Sequence, residues 1–530
     1  MSHPRARLRA LFRPIPPDHE SPRQGTESDE LPGQALEYLL ALSTHRKSPM
    51  LREAPEESHD GSSPRGAPRT LVRARHHRLD HLTKEWGSRD SVSLYLERCQ
   101  VETPEDLVQA TWRHVRELRP RIGKVVDFGA GDGRFSRHGR YREYVGYEID
   151  TALCAKANLP GSASLINKCA FSDEVLDADL CIGNPPFVRN QDLPAGWRQH
   201  ASQVLYQRTG VSISGLANAW QYFFFLALIS AKASGLCALI IPYEWVSRPS
   251  SRAVRDLIKS KGWNVSVYRL IDTTFSSVLT TSSITIVDKA KRDGQWSYFE
   301  ETAAGEYSPL LSPTGGPDGV IPYLRRGATR TDGPHAKRGL SPGTQKVLTL
   351  TEGERVRSGL HIRRDVLPCV TSLRHLPAAV CDLDDESFRA HYRAPNQKCW
   401  LIRTDTEPNA ALAAYLKSVP ESEYQTSTCL ERDEWWRFQM PSVPDVLISM
   451  SFKGKFPKAV RNLAKVRAVG GVYGIYNLSA KQAEMVTAGF GGLDIRSGVV
   501  AHSNGLRKVE ISQLNTLLME AFGPGREPEG

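Results

Sequence analysis

The feature that most restricts the fold of this chain is an apolar run that stops in glycines. Lys124-Val125-Val126-Asp127-Phe128 leads directly into Gly129-Ala130-Gly131-Asp132-Gly133. The β-branched pair favours a strand. Closely spaced glycines after it let a ligand approach the backbone at the strand's carboxyl end, where open α/β sheets bind nucleotides. The spacing is G-x-G-x-G and not the G-x-G-x-x-G of dinucleotide sites, and there is no G-K-[ST] phosphate loop, which disfavours NAD and ATP. A second strand, Tyr144-Val145-Gly146-Tyr147, then ends in Glu148-Ile149-Asp150. This puts an acid about twenty residues on, where it can accept bonds from both hydroxyls of a ribose.

Farther along, the apolar run Leu180-Cys181-Ile182 is followed by Asn184-Pro185-Pro186-Phe187. This string suits a site that alkylates an amine. An aromatic exocyclic NH2 is a poor nucleophile because its lone pair is delocalised into the ring. Two acceptors, the Asn184 side-chain oxygen and the Pro185 backbone carbonyl, can each take one N–H, tilt the nitrogen toward sp3 and aim it by preorganised dipoles. Prolines fix φ and remove donors, which leaves carbonyls facing the site, and Phe187 offers a ring face to a base.

In this order the motifs resemble the gamma class of S-adenosylmethionine-dependent N6-adenine DNA methyltransferases, in which the cofactor motif precedes the catalytic one. The resemblance runs from about Ser91 to Lys289. It implies S-adenosyl-L-methionine as cofactor, held by Thr103 of Glu102-Thr103-Pro104, by Asp127, Phe128, Gly129 and Gly131, and by Glu148 and Ile149. It implies Asn184, Pro185, Pro186 and Phe187 as the catalytic set, with Phe187 and Phe275 stacking on the target base. Gly235 to Trp245 and Thr273 to Val287 look like the family's fifth strand and late strand pair. Two positions depart from the pattern. Ala170, in Lys168-Cys169-Ala170-Phe171, stands where the family has an acid for the cofactor's adenine amine, with Asp173 a substitute. Asn218-Ala219-Trp220-Gln221-Tyr222 replaces the usual acidic-apolar-aromatic helix entry.

At 530 residues the chain is long enough for roughly two or three domains. Nine cysteines without a C-x-x-C pair argue against a disulfide framework and against zinc, so no metal is expected. The apolar stretch Tyr222 to Tyr243 is cut by Lys232 and Gly235 and reads as a buried helix plus a strand, not a membrane span. Residues 1–78 are rich in Pro, Ser and charge and are expected to be largely disordered, apart from a short helix near Gln34 to Leu42. Their arginines, Arg5, Arg7, Arg9 and Arg13, match the basic ends of nucleic-acid-binding proteins as well as transit peptides. Residues 79–292 alternate strand and helix signals and predict a Rossmann-like α/β methyltransferase domain with a mostly parallel sheet.

Residues 293–530 are expected to form a C-terminal mixed α/β target-recognition region. Between Val320 and Val370 ten Arg and Lys residues, among them Arg325, Arg326, Arg330, Arg338, Lys346, Arg355 and Arg364, outnumber the acids. A second run, Lys453, Lys455, Lys458, Arg461, Lys465 and Arg467, contains no acid and is interleaved with Phe452 and Phe456. Such clusters suit phosphate contacts, and Lys453, Lys455 and Lys458 are the expected contacts to a DNA backbone. The Trp435-Trp436 pair is read as core.

The expectation is therefore a cytoplasmic, nucleoid-associated monomer, the modification component of a restriction-modification system. It would methylate N6 of a flipped adenine in double-stranded DNA and have a cognate restriction endonuclease as partner. The formal net charge of +10 has the sign such a partner needs. An RNA adenine methyltransferase and a protein-glutamine methyltransferase use a similar Asn-Pro-Pro string. A DNA-binding subunit with a degenerate core is the non-enzymatic alternative, supported by Ala170. No nuclease carboxylate-lysine cluster is evident.

Overall fold

The structure, a computed structural model, describes residues 102–172, 177–271, 280–317, 319–324, 332–503 and 506–523. The N-terminal segment, Phe275, Asp173 and the basic residues Arg325, Arg326 and Arg330 lie outside these residues. The described chain forms two compact units, residues 102–320 with 500–503, and residues 321–499 with 506–523.

The first unit is built on a nine-stranded sheet in the order β3-β2-β1-β4-β5-β7-β6-β8-β9. Its strands are β1 (Ile122–Phe128), β2 (Tyr141–Tyr147), β3 (Ala163–Ile166), β4 (Ala178–Gly183), β5 (Ala231–Pro242), β6 (Asn264–Arg269), β7 (Ser282–Asp288), β8 (Trp296–Glu301) and β9 (Tyr307–Leu310). β3, β2, β1, β4 and β5 pair in parallel, and β7 enters antiparallel between β5 and β6. The α/β, mostly parallel sheet anticipated from sequence is thus present. β1 lies between β2 and β4, in register Val125↔Tyr144 on one side and Val125↔Leu180 on the other. The strand order reverses there, and a crevice opens at the carboxyl ends of β1 and β4, where doubly wound sheets place their ligands.

Helices cover the sheet for legible reasons. α1 (Glu105–Leu118) starts after Pro104 with Glu105 and Asp106 in its first turn, which suits the positive helix end. It buries Leu107, Val108, Trp112 and Val115 along one face. α2 (Thr151–Lys156) is capped by Asp150, whose side chain accepts from the Ala152 N–H at 2.8 Å. α3 (Ala195–Thr209) buries Trp197, Ala201 and Leu205, and α5 (Arg252–Ser260) buries Val254 and Ile258. The intervening α4 (Ala219–Ser230) is apolar all round and almost wholly buried, as such a helix must be. It passes directly into β5, the helix-plus-strand reading of that stretch. Among the described residues no helix is long and apolar enough to cross a membrane.

The sheet does not end at residue 292, where the sequence texture placed a boundary. β8 pairs in parallel with β6 (Val265↔Trp296) and β9 closes antiparallel on β8, so this unit runs on to residue 320. The Gly- and Pro-rich segment after β9, Ser312 to Pro317, still belongs to this unit, and the division falls after Val320.

The second unit is mixed α/β. A five-stranded sheet has the order β10-β19-β15-β17-β13, from strands β10 (His335–Arg338), β13 (Asp382–Leu383), β15 (Val446–Ser449), β17 (Ala459–Asn462) and β19 (Val472–Tyr476). A smaller four-stranded sheet is ordered β11-β14-β12-β18, from β11 (Thr349–Leu350), β12 (Val366–Val370), β14 (Trp400–Ile402) and β18 (Arg467–Ala468). The strand β16 (Ser451–Phe452) pairs with Leu506–Lys508. Helix Ile511–Phe522 covers the β10 edge. The Asn515 amide there accepts from the Ala336 N–H at 2.7 Å and donates to the Ala336 carbonyl at 3.0 Å, occupying groups that would otherwise invite pairing. Trp436 is buried in the core, and Trp435 stacks on Tyr424 with ring centroids 4.2 Å apart.

Candidate active site

The loop after β1 is wound by three alternate glycines in left-handed conformation, Gly129 (φ 83°), Gly131 (φ 59°) and Gly133 (φ 75°). Only glycine enters this region without strain. Space adds a second reason at one of them, because a Cβ on Gly133 would lie 2.4 Å from Leu159 Cδ2. The backbone N–H groups of Gly129 and Ala130 both donate to the Tyr147 carbonyl, at 2.8 and 2.9 Å, tying the loop to the end of β2.

Glu148, just past β2, is buried and fixed at both oxygens. Oε2 accepts from the Gly131 N–H at 2.8 Å, and Oε1 accepts from the Asp150 N–H at 2.7 Å. The acid is thus rigidly aimed, on the wall between the glycine loop and the end of β2.

β4 ends at Gly183, directly against Asp127. A Cβ on Gly183 would stand 2.1 Å from Asp127 Oδ1. The next residue, Asn184, donates from Nδ2 to Thr103 Oγ1 at 3.1 Å, while its Oδ1 is buried with no hydrogen-bond partner among the described residues. Such an acceptor is costly to bury unsatisfied. Thr103 itself is held by Arg134, which donates from Nη1 to the Thr103 carbonyl at 2.5 Å and from Nε to Asp132 Oδ1 at 2.8 Å, with Glu102 3.3 Å from Nη2. One guanidinium thus joins the segment before α1 to the glycine loop. Sequence reasoning missed Arg134; a single arginine one residue after a glycine turn looks no different from a surface charge.

Asp127 is fully buried. Its Oδ2 accepts from the Tyr144 hydroxyl at 2.6 Å, and its Oδ1 has no partner among the described residues. Burial, reinforced by the negative charges of Glu148 and Asp132 and opposed by the Tyr144 bond, pushes its carboxyl up to about 7.

These elements enclose a cavity of about 290 Å³. Of the residues read from sequence, Thr103, Gly129, Gly131, Glu148, Ile149, Asn184 and Pro186 line it together. Asp127, Phe128 and Pro185 are buried and do not line it, and Phe187 is half-buried against two apolar clusters. Pro186 lines the cavity against the glycine loop, its Cδ 3.4 Å from where a Cβ of Gly129 would be. Ala170 lines the cavity with Lys168 and Cys169, and among the described residues no carboxylate stands at that point of the wall.

The three lysines of the second unit are not equivalent. Lys453 and Lys455 are exposed. Lys458 is half-buried and donates to the backbone carbonyls of Leu376, at 2.9 Å, and Pro377, and burial lowers its pKa. Phe456 packs edge-on against Phe490 and Phe452 is buried, so the interleaved aromatics belong to the core. Much of the first basic run is neutralised. Arg338 pairs with Glu510, Lys346 with Glu423, Arg355 with Glu352, and Arg364 with Asp365.

The fold and the cavity at its switch point define a Rossmann-like domain of the methyltransferase type. Residues 150–276 match the Eco57I restriction-modification methylase family, and residues 336–491 match the C-terminal domain of the type II methyltransferase M.Eco57I. The chain is also similar to the type II methyltransferase M.XamI of Xanthomonas campestris pv. amaranthicola, 29% identical over 203 residues. That match covers 35% of this chain and 38% of the relative, well under half the relative's length. Among solved structures, the type IIG restriction endonuclease BpuSI superposes with a TM-score of 0.37 and 11% identity, over 78% of this chain and 58% of that one. A type I restriction-modification methyltransferase subunit from Streptococcus thermophilus gives 0.33 and 15%, over 38% and 47%.

Proposed function

We propose that this protein transfers a methyl group from S-adenosyl-L-methionine to N6 of an adenine in double-stranded DNA, as the modification component of a restriction-modification system. The observation that carries the reading is the Asn184 amide. Its nitrogen is engaged by Thr103, and its oxygen is buried without a partner on the wall of a cavity beside a glycine loop and a strand-end acid. An acceptor placed there suits an incoming N–H.

The cavity residues fit the cofactor. Glu148 presents a fixed carboxylate at the wall to the ribose hydroxyls, the left-handed glycines bring backbone to the wall, and Thr103 lines it beside Asn184. When bound, S-adenosylmethionine supplies a methyl group on cationic sulfur, an electrophile that needs no further activation. The chain's own residues do the rest. Asn184 Oδ1 and the Pro185 carbonyl each accept one N–H of the target amine, returning lone-pair density to nitrogen and orienting it. Phe187 offers a ring face to the flipped base. The methylated nitrogen is briefly cationic and loses its proton to water, so no dedicated base is needed.

The test uses the full chain with isotopically methyl-labelled cofactor and duplex DNA, followed by nucleoside analysis. Label in N6-methyladenine is expected. Label confined to another base, to structured RNA or to protein glutamine, or no transfer at all, would overturn the assignment.

A further inference from the structure

Two loops of the second unit, distant in sequence, are tied together by one half-buried ammonium. The first, Thr371 to Ala379, reads Thr-Ser-Leu-Arg-His-Leu-Pro-Ala-Ala, and the second, Phe452 to Lys458, reads Phe-Lys-Gly-Lys-Phe-Pro-Lys. Neither contains an acid. Lys458, at the end of the second loop, donates to the Leu376 and Pro377 carbonyls of the first. The first loop is pinned elsewhere as well. Tyr392 Oη donates to the Ser372 carbonyl at 2.9 Å, Leu376 N–H donates to the Leu373 carbonyl at 3.2 Å, and Leu373 and Leu376 are buried. Between those two leucines Arg374 is exposed, its N–H donating to Ser372 Oγ at 3.3 Å. A cation on a rigid loop loses little entropy when it meets an anion.

The second loop has the same character. Ile495 N–H donates to the Lys455 carbonyl at 3.0 Å, and Lys458 carries the chain into the β15–β17 pairing through its carbonyl, which accepts from Ser449 at 2.8 Å. Lys453 and Lys455 are exposed, Lys453 standing between the Phe452 pairing with Arg507 and the anchor at the Lys455 carbonyl. Asp494, whose carboxyl is held down mainly by Arg496 and to a smaller extent by the Lys455 charge, is already bonded to Arg496.

We propose that these two loops form a single surface that grips the phosphate backbone of duplex DNA, with Arg374, Lys453 and Lys455 as the contacts and Lys458 as the residue that positions one loop against the other. This rests on the reading of the chain as an enzyme acting on DNA. It reassigns Lys458, two of whose three donors are engaged by carbonyls, from contact to clasp, and it adds Arg374, which lies outside both basic runs. Fixed cations of one sign without intervening acids are what counterion release from a duplex requires.

The experiment measures binding of the full chain to random-sequence duplex DNA, and separately to double-stranded RNA, as a function of salt. Cofactor affinity is determined on the same samples by calorimetry as a check on folding. Arg374→Ala should lower the log–log salt slope by about 0.9, and Lys453→Ala with Lys455→Ala by about 1.8. Lys458→Met should weaken DNA binding in the parent chain and add little in the Arg374→Ala background, because its effect runs through the first loop. Unchanged slopes in the Arg374 and Lys453/Lys455 variants overturn the surface, and additivity of Lys458 with Arg374 overturns the clasp. Tighter binding to double-stranded RNA than to DNA with the same slope changes overturns the choice of partner. If the slopes change as expected but no methyl transfer to DNA occurs, the surface stands and the proposed activity falls; methylation with unchanged slopes gives the converse.

Discussion

Asn184 Nδ2 donates to Thr103 Oγ1 at 3.1 Å, joining residues 81 positions apart in the chain. The bond holds the amide plane in place. With nitrogen turned to Thr103, oxygen is turned away from it, and an amide free to rotate would present a donor to a substrate N–H as often as an acceptor. Thr103 is itself held through its carbonyl by Arg134, so the Asn184 amide is oriented through a chain of contacts that begins in the glycine loop.

Thr103→Val is therefore expected to keep the packing and lose the amide's orientation. We predict a fall in single-turnover methyl transfer of about 10- to 100-fold, in the range of one lost preorganising contact. Cofactor affinity should be little changed, and Thr103→Ser should restore the rate. Calorimetry and single-turnover kinetics on the three proteins separate these effects; a Val variant as fast as the parent would mean that Asn184 is oriented by something else.

Removing the acceptor itself should cost more. Asn184→Ala is predicted to bind cofactor normally and to lose methyl transfer by roughly 100-fold or more. Asn184→Asp should also be slow, since a carboxylate would face the Thr103 hydroxyl and carry charge into a wall adjoining Asp127. Near-normal turnover in the Ala variant would remove Asn184 from the chemistry.

Much of this site was readable before any coordinates because its parts are local. A strand that stops in alternate glycines, an acid at the end of the next strand, and Asn-Pro-Pro-Phe after a third each announce a backbone conformation or an acceptor within a few residues. What could not be read was non-local. Arg134 gains its meaning from Thr103, and the surplus charge on Arg338 and Lys346 vanishes only when Glu510 and Glu423 fold against them. Lys458 looked like a phosphate contact because carbonyls leave no trace in a sequence. The boundary near 292 failed for a related reason, since β8 is called into the sheet by β6, not by its own composition.

Glu148 has a structural duty besides its proposed cofactor contact, and its substitution should show both. Glu148→Ala strips the acceptors from Gly131 and Asp150 N–H, so the glycine loop loosens as the ribose contact is lost. Cofactor affinity is expected to fall by about 10- to 100-fold, the scale of one or two hydrogen bonds to a charged group, with DNA affinity largely retained. Glu148→Gln should not rescue it, because the amide NH2 would face one of those two backbone donors. Full rescue by Gln would show that charge and fixed aim are both dispensable.

Asp127 gives a prediction in pH. Its carboxyl is raised to about 7 in the folded protein, mainly by burial, so the native state holds a proton that the unfolded chain releases in the ordinary carboxylate range. A folded pKa above the unfolded one stabilises the native state fully at low pH. That stabilisation is lost as pH rises toward the folded value, because there the native state binds more protons than the unfolded state. Asp127→Asn cannot titrate, yet its side-chain oxygen can still accept from Tyr144. The variant's stability relative to the parent should therefore rise between about pH 5 and 7 and level off above that. Denaturant unfolding of both proteins across this window is the measurement. Parallel stability curves would show that Asp127 is ionised in the folded protein, and the charge would then need a compensating partner beside Gly183.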